Sequence, residues 1–498
     1  MEFFDKVVMK VFKRIGLVLA AAFLLAGCKQ EEDEFNGLII SSNCNFVEAE
    51  GEVTFCATFY KDGSADSSED VKFYIESDST GGASLESESA KSGENVSLKM
   101  GAVAGGFVKV VAECNGSSAY KIFGVNPSEE ILVSDKALGF AGLGVDMSKM
   151  VNTVTVSTGS ELKKYAKKGG YLILVSGSID MSEGMLPAEG SVMDDGSTAT
   201  DKMNDFVANK SGYSSYGEWI KNTTNVSASE DTKTTSISNA YKSIIQITVA
   251  NNTAIIGLDG ACVRGGSFSV RGVSNVVIRN ISLKDAVDPF PHHESGDGWN
   301  AQHDLVSIEN GKNIWIDHCT FEDTLTLGKA ANGEKLQVYD GLCDMKSTTT
   351  NVTVSNCVFK NHDKTMLIGS SDNDGAGDPT ARKISLFYNY WLNCGQRCPF
   401  VRNSLCHVLN NFYDSDSERI YNSQTSINAR AGSVVCAENN YFGSVASPNE
   451  AGGSISYSPN SNFNPTDYYL YVTLENKDVK SWVKANAGAG KVAVNIEN

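Results

Sequence analysis

The sequence predicts an all-β protein in which a small β-sandwich precedes a long parallel β-helix. Composition is the first observation: in a chain of 498 residues, 46 glycines against 9 prolines suit many short strands joined by turns. A strand pattern that repeats after about residue 130 is the second observation. The third is a different, alternating pattern in residues 35–126.

The repeat predicts the β-helix. The run Val276–Leu283 recurs as Ile314–Phe321 and Val352–Phe359, and the polar residues at the fifth place of each run are 38 residues apart: Asn280, His318 and Asn356. Later units also join asparagine to aromatic residues: Asn389–Trp391, Asn410–Tyr413 and Asn439–Phe442. A repeat of this length is typical of a solenoid, in which asparagines at the bends can form ladders between rungs. A propeller would need about four evenly spaced strands per repeat, which the irregular spacing does not provide.

Residues 35–126 predict the sandwich. Apolar and polar residues alternate in Glu52–Phe59, Val71–Ile75 and Phe107–Ala112, and glycine-containing turns separate these runs. About ninety residues of this kind suggest an immunoglobulin-like β-sandwich. The pattern is compatible with a spacer and with a module that contacts carbohydrate.

The N-terminus predicts export. Basic residues precede the apolar run Ile15–Ala26, which is too short for a membrane span and suits a signal peptide. The motif Leu25–Cys28 resembles a bacterial lipobox, which would make Cys28 the lipidated first residue of a lipoprotein, although an ordinary signal peptide would also fit. Residues 29–34 would be a tether from the membrane, and the outer membrane is the expected location.

The charge balance restricts the partners. There are 42 Lys and Arg residues against 60 Asp and Glu residues, which gives a net charge of −18. Nucleic acid is therefore not an expected partner, because phosphate binding needs a basic face. An acidic polymer would be excluded as well, unless a metal ion reverses the charge locally.

Three aspartates predict such a metal site. Asp304 precedes one predicted strand, and Asp340 and Asp344 precede the next repeat. If they lie on successive rungs, these carboxylates are about 5 Å apart, and a divalent cation such as Ca²⁺ would relieve their repulsion. Each carboxylate considered alone could equally be a solvated turn residue.

Three cations follow in the sequence: Lys364, Arg397 and Arg402. Arginine suits bidentate recognition of carboxylates. Considered singly, each could be an ordinary surface cation.

Together these motifs resemble polysaccharide lyase family 1, the pectate lyases. Trp315–His318 is similar to the family's WIDH signature, Asp340–Asp344 to its paired calcium aspartates, and Arg397–Arg402 to its RxPxxR motif. The opening of the domain and the order of the motifs over some 300 residues also agree. Segment 181–243 has no clear counterpart in the family; we interpret it as an insertion with helix near 201–222. Cys398 stands where the family often has a small residue.

The resemblance implies a right-handed parallel β-helix over residues 130–498 and a calcium-dependent lyase that cleaves de-esterified homogalacturonan by β-elimination. Asp304, Asp340 and Asp344 would bind Ca²⁺, and Asp297 could help to form an additional metal site. Arg397 would be the catalytic base, while Lys364 and Arg402 would hold uronate carboxylates. We expect a monomer whose only contact with the membrane is the lipid anchor.

Other functions are compatible with parts of this pattern. A pectin lyase would act on methyl-esterified polymer without calcium, which the three aspartates disfavour. A β-helix glycoside hydrolase would need two carboxylates as acid and base. A surface β-helix that only binds glycan would not need Arg397.

Overall fold

The computed structural model describes residues 36–126, 130–132, 137–193, 196–224, 232–294, 296 and 298–495. Its main body consists of three long parallel sheets whose strands follow one another in turn along the chain. Each circuit through the three sheets is one rung, and strands in successive rungs pair in register. The predicted all-β fold with a parallel β-helix is therefore confirmed.

The ten-stranded sheet is formed by the following strands in spatial order: Asn152–Val156, Tyr171–Val175, Thr253–Gly257, Ser274–Arg279, Lys312–Asp317, Thr350–Ser355, Lys383–Phe387, Leu405–Leu409, Val434–Glu438 and Ser454–Ser456. The side sheet has eight strands: Ser178–Asp180, Cys262–Arg264, Ser282–Lys284, Thr320–Glu322, Val358–Lys360, Tyr390–Leu392, Phe412–Asp414 and Tyr441–Phe442. We call the third the groove sheet, and its eight strands are Gln246–Thr248, Ser267–Arg271, Val306–Glu309, Cys343–Lys346, Leu367–Ile368, Phe400–Arg402, Asn428–Arg430 and Asn449–Ala451.

Asparagines occupy the bends between the ten-stranded sheet and the side sheet, as the repeat predicts. Asn280, His318 and Asn356 all have positive φ, a conformation that asparagine tolerates better than most residues. On later rungs the side-chain amide of Asn389 donates to Asn411 at 2.9 Å, and that of Asn411 donates to Asn440 at 3.0 Å. This ladder satisfies buried polar groups that would otherwise be costly.

Aromatic rings stack through the interior from rung to rung. The ring centroids of Phe321 and Phe359 are 4.7 Å apart, those of Phe359 and Trp391 4.6 Å, and those of Trp391 and Tyr413 5.7 Å, with interplanar angles of 17°, 19° and 10°. In-register pairing places equivalent side chains above one another, so that one buried position is filled by a continuous stack. The stack fixes the register that positions the groove sheet on the other side of the rung.

The N-terminal part forms a small, mainly antiparallel β domain of two five-stranded sheets. One contains Gly37–Ser42, Glu52–Lys61, Ser64–Ala65, Ser84–Leu85 and Asn95–Lys99; the other contains Phe46–Val47, Asp70–Asp78, Ser89–Lys91, Phe107–Cys114 and Ser117–Val125. The domain packs against the C-terminal part of the chain. The rings of Phe46 and Trp482 stack at 5.8 Å, and the hydroxyls of Tyr120 and Thr466 are 3.2 Å apart.

Helices and short strands complete the described structure. The α-helices are α1 (Gly159–Ala166), α2 (Asp201–Ser211), α3 (Tyr216–Thr223), α4 (Thr232–Ile245) and α5 (Asn476–Asn486). Four 3₁₀ turns cover Gly139–Leu143, Met147–Lys149, Pro379–Ala381 and Pro465–Asp467. The remaining short strands pair in twos: Glu130–Leu132 with Ala493–Asn495, Val192–Met193 with Thr326–Leu327, and His292–Glu294 with Gly298–Asn300.

Helices α2 to α4 pack around one aromatic residue of the following loop. Phe290 lies 4.9 Å from the ring of Trp219 and 5.9 Å from those of Tyr216 and Tyr241. Helix α4 then continues directly into Gln246–Thr248, the first strand of the groove sheet. The helical unit is thereby attached to one end of that sheet. Within the described ranges, no helix is long and apolar enough to cross a membrane.

Candidate active site

Four consecutive rungs of the groove sheet bring the predicted acidic and basic residues together. Strand Val306–Glu309, which follows Asp304, pairs with Cys343–Lys346. The N–H of Leu342 donates to the carbonyl of Thr365 at 3.0 Å, and the N–H of Met366 donates to that of Arg397 at 2.7 Å. Adjacent strands are about 4.8 Å apart, so the groups predicted to hold a metal and those predicted to meet substrate lie along one face.

The three predicted aspartates form one acidic cluster. The Asp304 carboxylate accepts a hydrogen bond from the N–H of Gly341 at 3.2 Å, and the Asp344 carboxylate accepts one from the N–H of Leu367 at 2.9 Å. Both aspartates are buried. These backbone bonds fix the two side chains on neighbouring rungs.

Burial and mutual repulsion oppose full ionisation of this cluster. Burial and the charges of Asp304 and Asp344 raise the pKa of Asp340 to about 8. Burial and the charge of Asp304 raise the pKa of Asp344 to about 6. Burial also disfavours the charged form of Asp304, but the ammonium of Lys346 outweighs it and lowers the pKa of Asp304. The cluster therefore holds more negative charge than its surroundings balance.

The chemistry of these residues suits a calcium ion. Three carboxylates supply the hard oxygen ligands that Ca²⁺ prefers. Gly341 leaves room for them, since a Cβ atom at this position would clash with the carboxylate of Asp344. Asp304, Asp340 and Asp344 would hold the ion.

Lys346 is a site residue that the sequence analysis missed. Its Nζ lies 2.8 Å from Asp304 Oδ2 and 3.5 Å from Asp344 Oδ2. Lys346 follows Asp344 by two residues in one strand, so both side chains face the groove. That alternation is the signal by which the sequence could have identified it.

Lys364 lies on the next rung, and a residue of a neighbouring hairpin accepts a hydrogen bond from its side chain. Its Nζ donates to Asn300 Oδ1 at 2.7 Å, and its backbone forms an isolated parallel bridge with Gln396. Asn300 ends the hairpin formed by His292–Glu294 and Gly298–Asn300. The hairpin therefore positions a cation beside the aspartate cluster.

Arg397 lies at a left-handed bend, with φ of 59°, just before the cis peptide bond between Cys398 and Pro399. Such a conformation is unusual for arginine and costs energy that the neighbouring rungs must offset. The side chain is half-buried. Among the described residues, its guanidinium makes no hydrogen bond or ion pair, which leaves it available to a substrate.

Arg402 and Arg430 together hold one carboxylate. Arg402 Nε donates to Asp372 Oδ1 at 2.8 Å, and Arg430 Nη2 donates to Asp372 Oδ2 at 2.9 Å. The two guanidiniums, that of Arg430 most strongly, lower the pKa of Asp372 to about 2. Arg430 was also missed by the sequence analysis, although it pairs in register with Arg402 on the next rung. The pair has the geometry of a carboxylate receptor.

Asp317 and His318 lie away from the groove sheet, at the end of a strand of the ten-stranded sheet. Asp317 lies 2.9 Å from Arg279 Nε and 2.6 Å from His318 Nδ1. It also accepts a hydrogen bond from Ser355 at 2.6 Å. Despite its burial, the charges of His318 and Arg279 lower the pKa of Asp317. The residues of this signature therefore stabilise the rungs.

A buried pair supports the backbone of Asp340. Its carbonyl oxygen lies 2.6 Å from His362 Nε2, and His362 Nδ1 lies 2.5 Å from Asp323 Oδ2. Burial raises the pKa of Asp323 to about 6, partly opposed by His362. This pair fixes the loop that carries one of the three carboxylates. Asp297 and Cys28 lie outside the described residues.

A family model described as pectate lyase matches residues 164–464, which include the whole of the described site. The chain belongs to the pectate lyase family.

Two curated members of the pectate lyase family illustrate the similarity. Pectate lyase E of Dickeya dadantii is 41% identical over 202 residues, which are 40% of this chain and 50% of that protein. A pectate lyase of Bacillus subtilis is 36% identical over 208 residues, which are 40% of this chain and 49% of that protein. The chain thus spans about half the length of the curated relatives it matches.

Solved pectate lyase structures are similar over a longer stretch. A variant of Bacillus subtilis pectate lyase aligns with 72% of this chain and 99% of its own at 25% identity, with a TM-score of 0.55. A pectate lyase bound to a hexasaccharide aligns with 72% of this chain and 98% of its own, also at 25% identity and a TM-score of 0.55. The similarity in fold therefore extends over nearly three quarters of this chain.

Proposed function

We propose that this protein is a calcium-dependent pectate lyase that cleaves de-esterified homogalacturonan by β-elimination and releases 4,5-unsaturated oligogalacturonates. The observation that carries the proposal is the arrangement of the groove sheet, in which the aspartate cluster, Lys364 and the unpaired Arg397 lie on consecutive rungs. One of the similar solved structures is a pectate lyase bound to a hexasaccharide. A bound oligosaccharide in a similar fold supports a sugar polymer as the substrate of this chain.

Each residue of the site has a separate role in the proposed reaction. Arg397, in its neutral form, takes the proton from C5 of a galacturonate. The electron pair of that bond forms the C4–C5 double bond, and the bond from C4 to the glycosidic oxygen breaks. The leaving oxygen takes up a proton, and Arg397 returns its proton to solvent. Lys364 and Arg402 hold uronate carboxylates, which stabilises the negative charge that develops next to C5.

Calcium, when bound, would supply positive charge beside the carboxylate of the reacting sugar and make the C5 proton more acidic. Asp304, Asp340 and Asp344 would hold it there. The cluster also explains how a chain with a net charge of −18 can bind a polyanion, because the metal reverses the charge locally. A pectin lyase acting on methylated polymer would have no use for these three carboxylates.

An arginine base needs an environment that favours its neutral form. Burial, together with the nearby charges of Arg430 and Arg397, lowers the pKa of Arg402, even though Asp372 opposes the change. The arginines on this face therefore repel one another. Arg397 makes no hydrogen bond or ion pair with a carboxylate among the described residues, although Asp344 is near enough to be affected by its charge, so its guanidinium is available to the substrate.

The direct test is product formation from polygalacturonate. We expect ultraviolet absorbance from the unsaturated product when calcium is present, and loss of that absorbance after chelation, with recovery when calcium is added back. Methylated pectin should react far more slowly under the same conditions. Reducing sugar without the absorbance would indicate a hydrolase, and binding without any product would indicate a surface glycan-binding protein.

We also propose that residues 1–28 are a lipoprotein signal peptide, that 29–34 form a tether and that 35–126 form an immunoglobulin-like domain before the lyase domain. The two-sheet architecture of the N-terminal domain and its short strands support the last assignment. The lipobox-like motif ending at Cys28 supports an outer-membrane anchor.

Replacing Cys28 with serine tests the anchor. We expect the wild-type chain in the membrane fraction of the producing bacterium and Cys28→Ser outside it, because the acceptor thiol is lost. Cys44→Ser is the matched control, since this cysteine lies beyond the tether and should not affect fractionation. Equal fractionation of Cys28→Ser and the wild type would exclude lipidation at this residue.

A further inference from the structure

A polar cavity of about 110 Å³ lies on the groove face, on the N-terminal side of the aspartate cluster. Its walls come from the first three strands of the groove sheet and from the end of helix α4. They include Lys242, Arg271, His303 and Glu309, together with Asp304 of the cluster itself. The cavity is therefore continuous with the candidate active site but extends one or two rungs beyond it.

Lys242 brings an unbalanced positive charge to this cavity. It is half-buried, and within the described part of the chain its ammonium makes no ion pair or hydrogen bond. Of the other charges at the cavity, Arg271 and Glu309 lie 3.2 Å apart and match each other. Asp304 pairs with Lys346 at 2.8 Å and belongs to the aspartate cluster, whose excess negative charge a calcium ion would balance. A half-buried ammonium without an anion favours an anionic ligand.

His303 is, with Asp304, the most deeply buried charged or polar residue that the described cavity wall contributes. Its side chain is 3% exposed, and neither ring nitrogen has a hydrogen-bond partner among the described residues, although Nε2 lies 3.7 Å from Asp288 Oδ1. Buried polar atoms are usually satisfied, and those that are not often face water or a ligand. The cavity thus presents the ammonium of Lys242 to an occupant, whereas the ring nitrogens of His303 are buried behind its wall.

The position of Lys242 is fixed by the fold. Helix α4 leads directly into the first groove strand, and the buried side chains of Tyr241 and Ile245 on either side of Lys242 anchor the end of the helix. Lys163 Nζ donates to the carbonyls of Ser243 and Ile244 at 2.9 and 2.7 Å, and these hydrogen bonds satisfy two carbonyl groups at the C-terminal end of the helix. Lys242 therefore reaches the groove from a rigid support.

We propose that this cavity is an additional subsite that binds the carboxylate of a uronate remote from the cleaved bond, with Lys242 as its ion-pair partner. The inference rests on the proposed function and deepens it. Strands of the groove sheet are about 4.8 Å apart, a spacing comparable with the length of one hexose residue. A polyuronate that follows the sheet would thus advance by about one sugar per rung, and those of its carboxylates that face the sheet could meet the rungs at Lys242.

The test compares substrates of different length. We expect Lys242→Ala to raise KM for polygalacturonate by about tenfold, as for loss of one charge-assisted hydrogen bond, with kcat within about twofold of the wild type. The shortest oligogalacturonate that is cleaved should show no change, because it does not reach the cavity. Lys242→Arg should restore most of the loss. Lys210→Ala is the matched control, since Lys210 is exposed on helix α2 of the same helical unit.

Three outcomes would overturn the subsite: an unchanged KM for polygalacturonate, an equal loss on short and long substrates, or a lower melting temperature that accounts for the loss. The proposed function fails separately, if the wild type forms no unsaturated product from any substrate. Calorimetric binding of oligogalacturonates of increasing length to the wild type and to Lys242→Ala then still tests the subsite. Equal affinities for all lengths would reject it.

Discussion

Arg397→Lys will lower kcat on polygalacturonate by about a thousandfold or more, within the range attributed to general bases, while calcium affinity and KM stay within about threefold of the wild type. The lysine ammonium is a compact point charge on a differently shaped side chain, so it cannot place a basic nitrogen where the guanidinium does. Calcium binding is retained because the three aspartates are untouched. Turnover measured by ultraviolet absorbance, with calcium binding by calorimetry, checks the prediction.

The left-handed bend at Arg397 provides a way to separate chemistry from folding. Asparagine tolerates a φ of 59° well, so Arg397→Asn should fold with an unchanged melting temperature and yet be as inactive as Arg397→Lys. Arg419→Lys, at an exposed position on a later loop, is the matched control and should keep full activity. If Arg397→Lys retains even a tenth of the wild-type kcat, arginine is not the base.

The repeat made the central rungs predictable from sequence. Asn280, His318 and Asn356 are evenly spaced, because the loops between these rungs have equal total length. Equal spacing is lost later: stacked Phe359, Trp391 and Tyr413 follow at intervals of 32 and 22 residues. There the aromatic and asparagine positions indicate rungs, but only the structure shows which strands pair.

The residues of the candidate site also differ in how far the sequence predicts them. The proximity of Asp304, Asp340 and Asp344 could be predicted, because each precedes a strand of the repeat that the sequence shows, while their role as calcium ligands stays a prediction. Lys346 needed the additional step of following side-chain alternation along that strand, and Arg430 needed the register between two rungs separated by a loop of unrelated sequence.

Lys242 could not be predicted as a groove residue. In the sequence it belongs to a polar helix with no motif, and its position depends on the packing of α2 to α4 around Phe290. Contacts of this kind connect residues far apart in the chain and leave no local pattern.

Asp340→Asn will have opposite effects on stability with and without calcium. In the metal-free protein the pKa of Asp340 is raised to about 8 and that of Asp344 to about 6, from ordinary values near 3.9. The folded state therefore holds more protons than the unfolded state between about pH 4 and 8, and the free energy of unfolding falls as the pH rises through that window. Removing one carboxylate relieves the repulsion, so Asp340→Asn should melt at a higher temperature than the wild type at pH 8 in a chelator.

Calcium should reverse the order of the two melting temperatures. The ion favours the charged carboxylates, stabilises the folded state by mass action and should flatten the pH dependence of the wild type. Asp340→Asn loses a ligand, so its calcium affinity should fall by roughly a hundredfold or more, and its activity at limiting calcium should fall with it. Melting temperatures measured at about pH 5 and pH 8, with calcium and with chelator, test both the stabilising and the destabilising effect of the substitution. Asp205→Asn, at an exposed position on α2, is the control, and its melting temperature should follow that of the wild type under all conditions. A variant that is less stable than the wild type in chelator at pH 8 would mean that Asp340 is held by a favourable partner, and the aspartate cluster would then not be the calcium site.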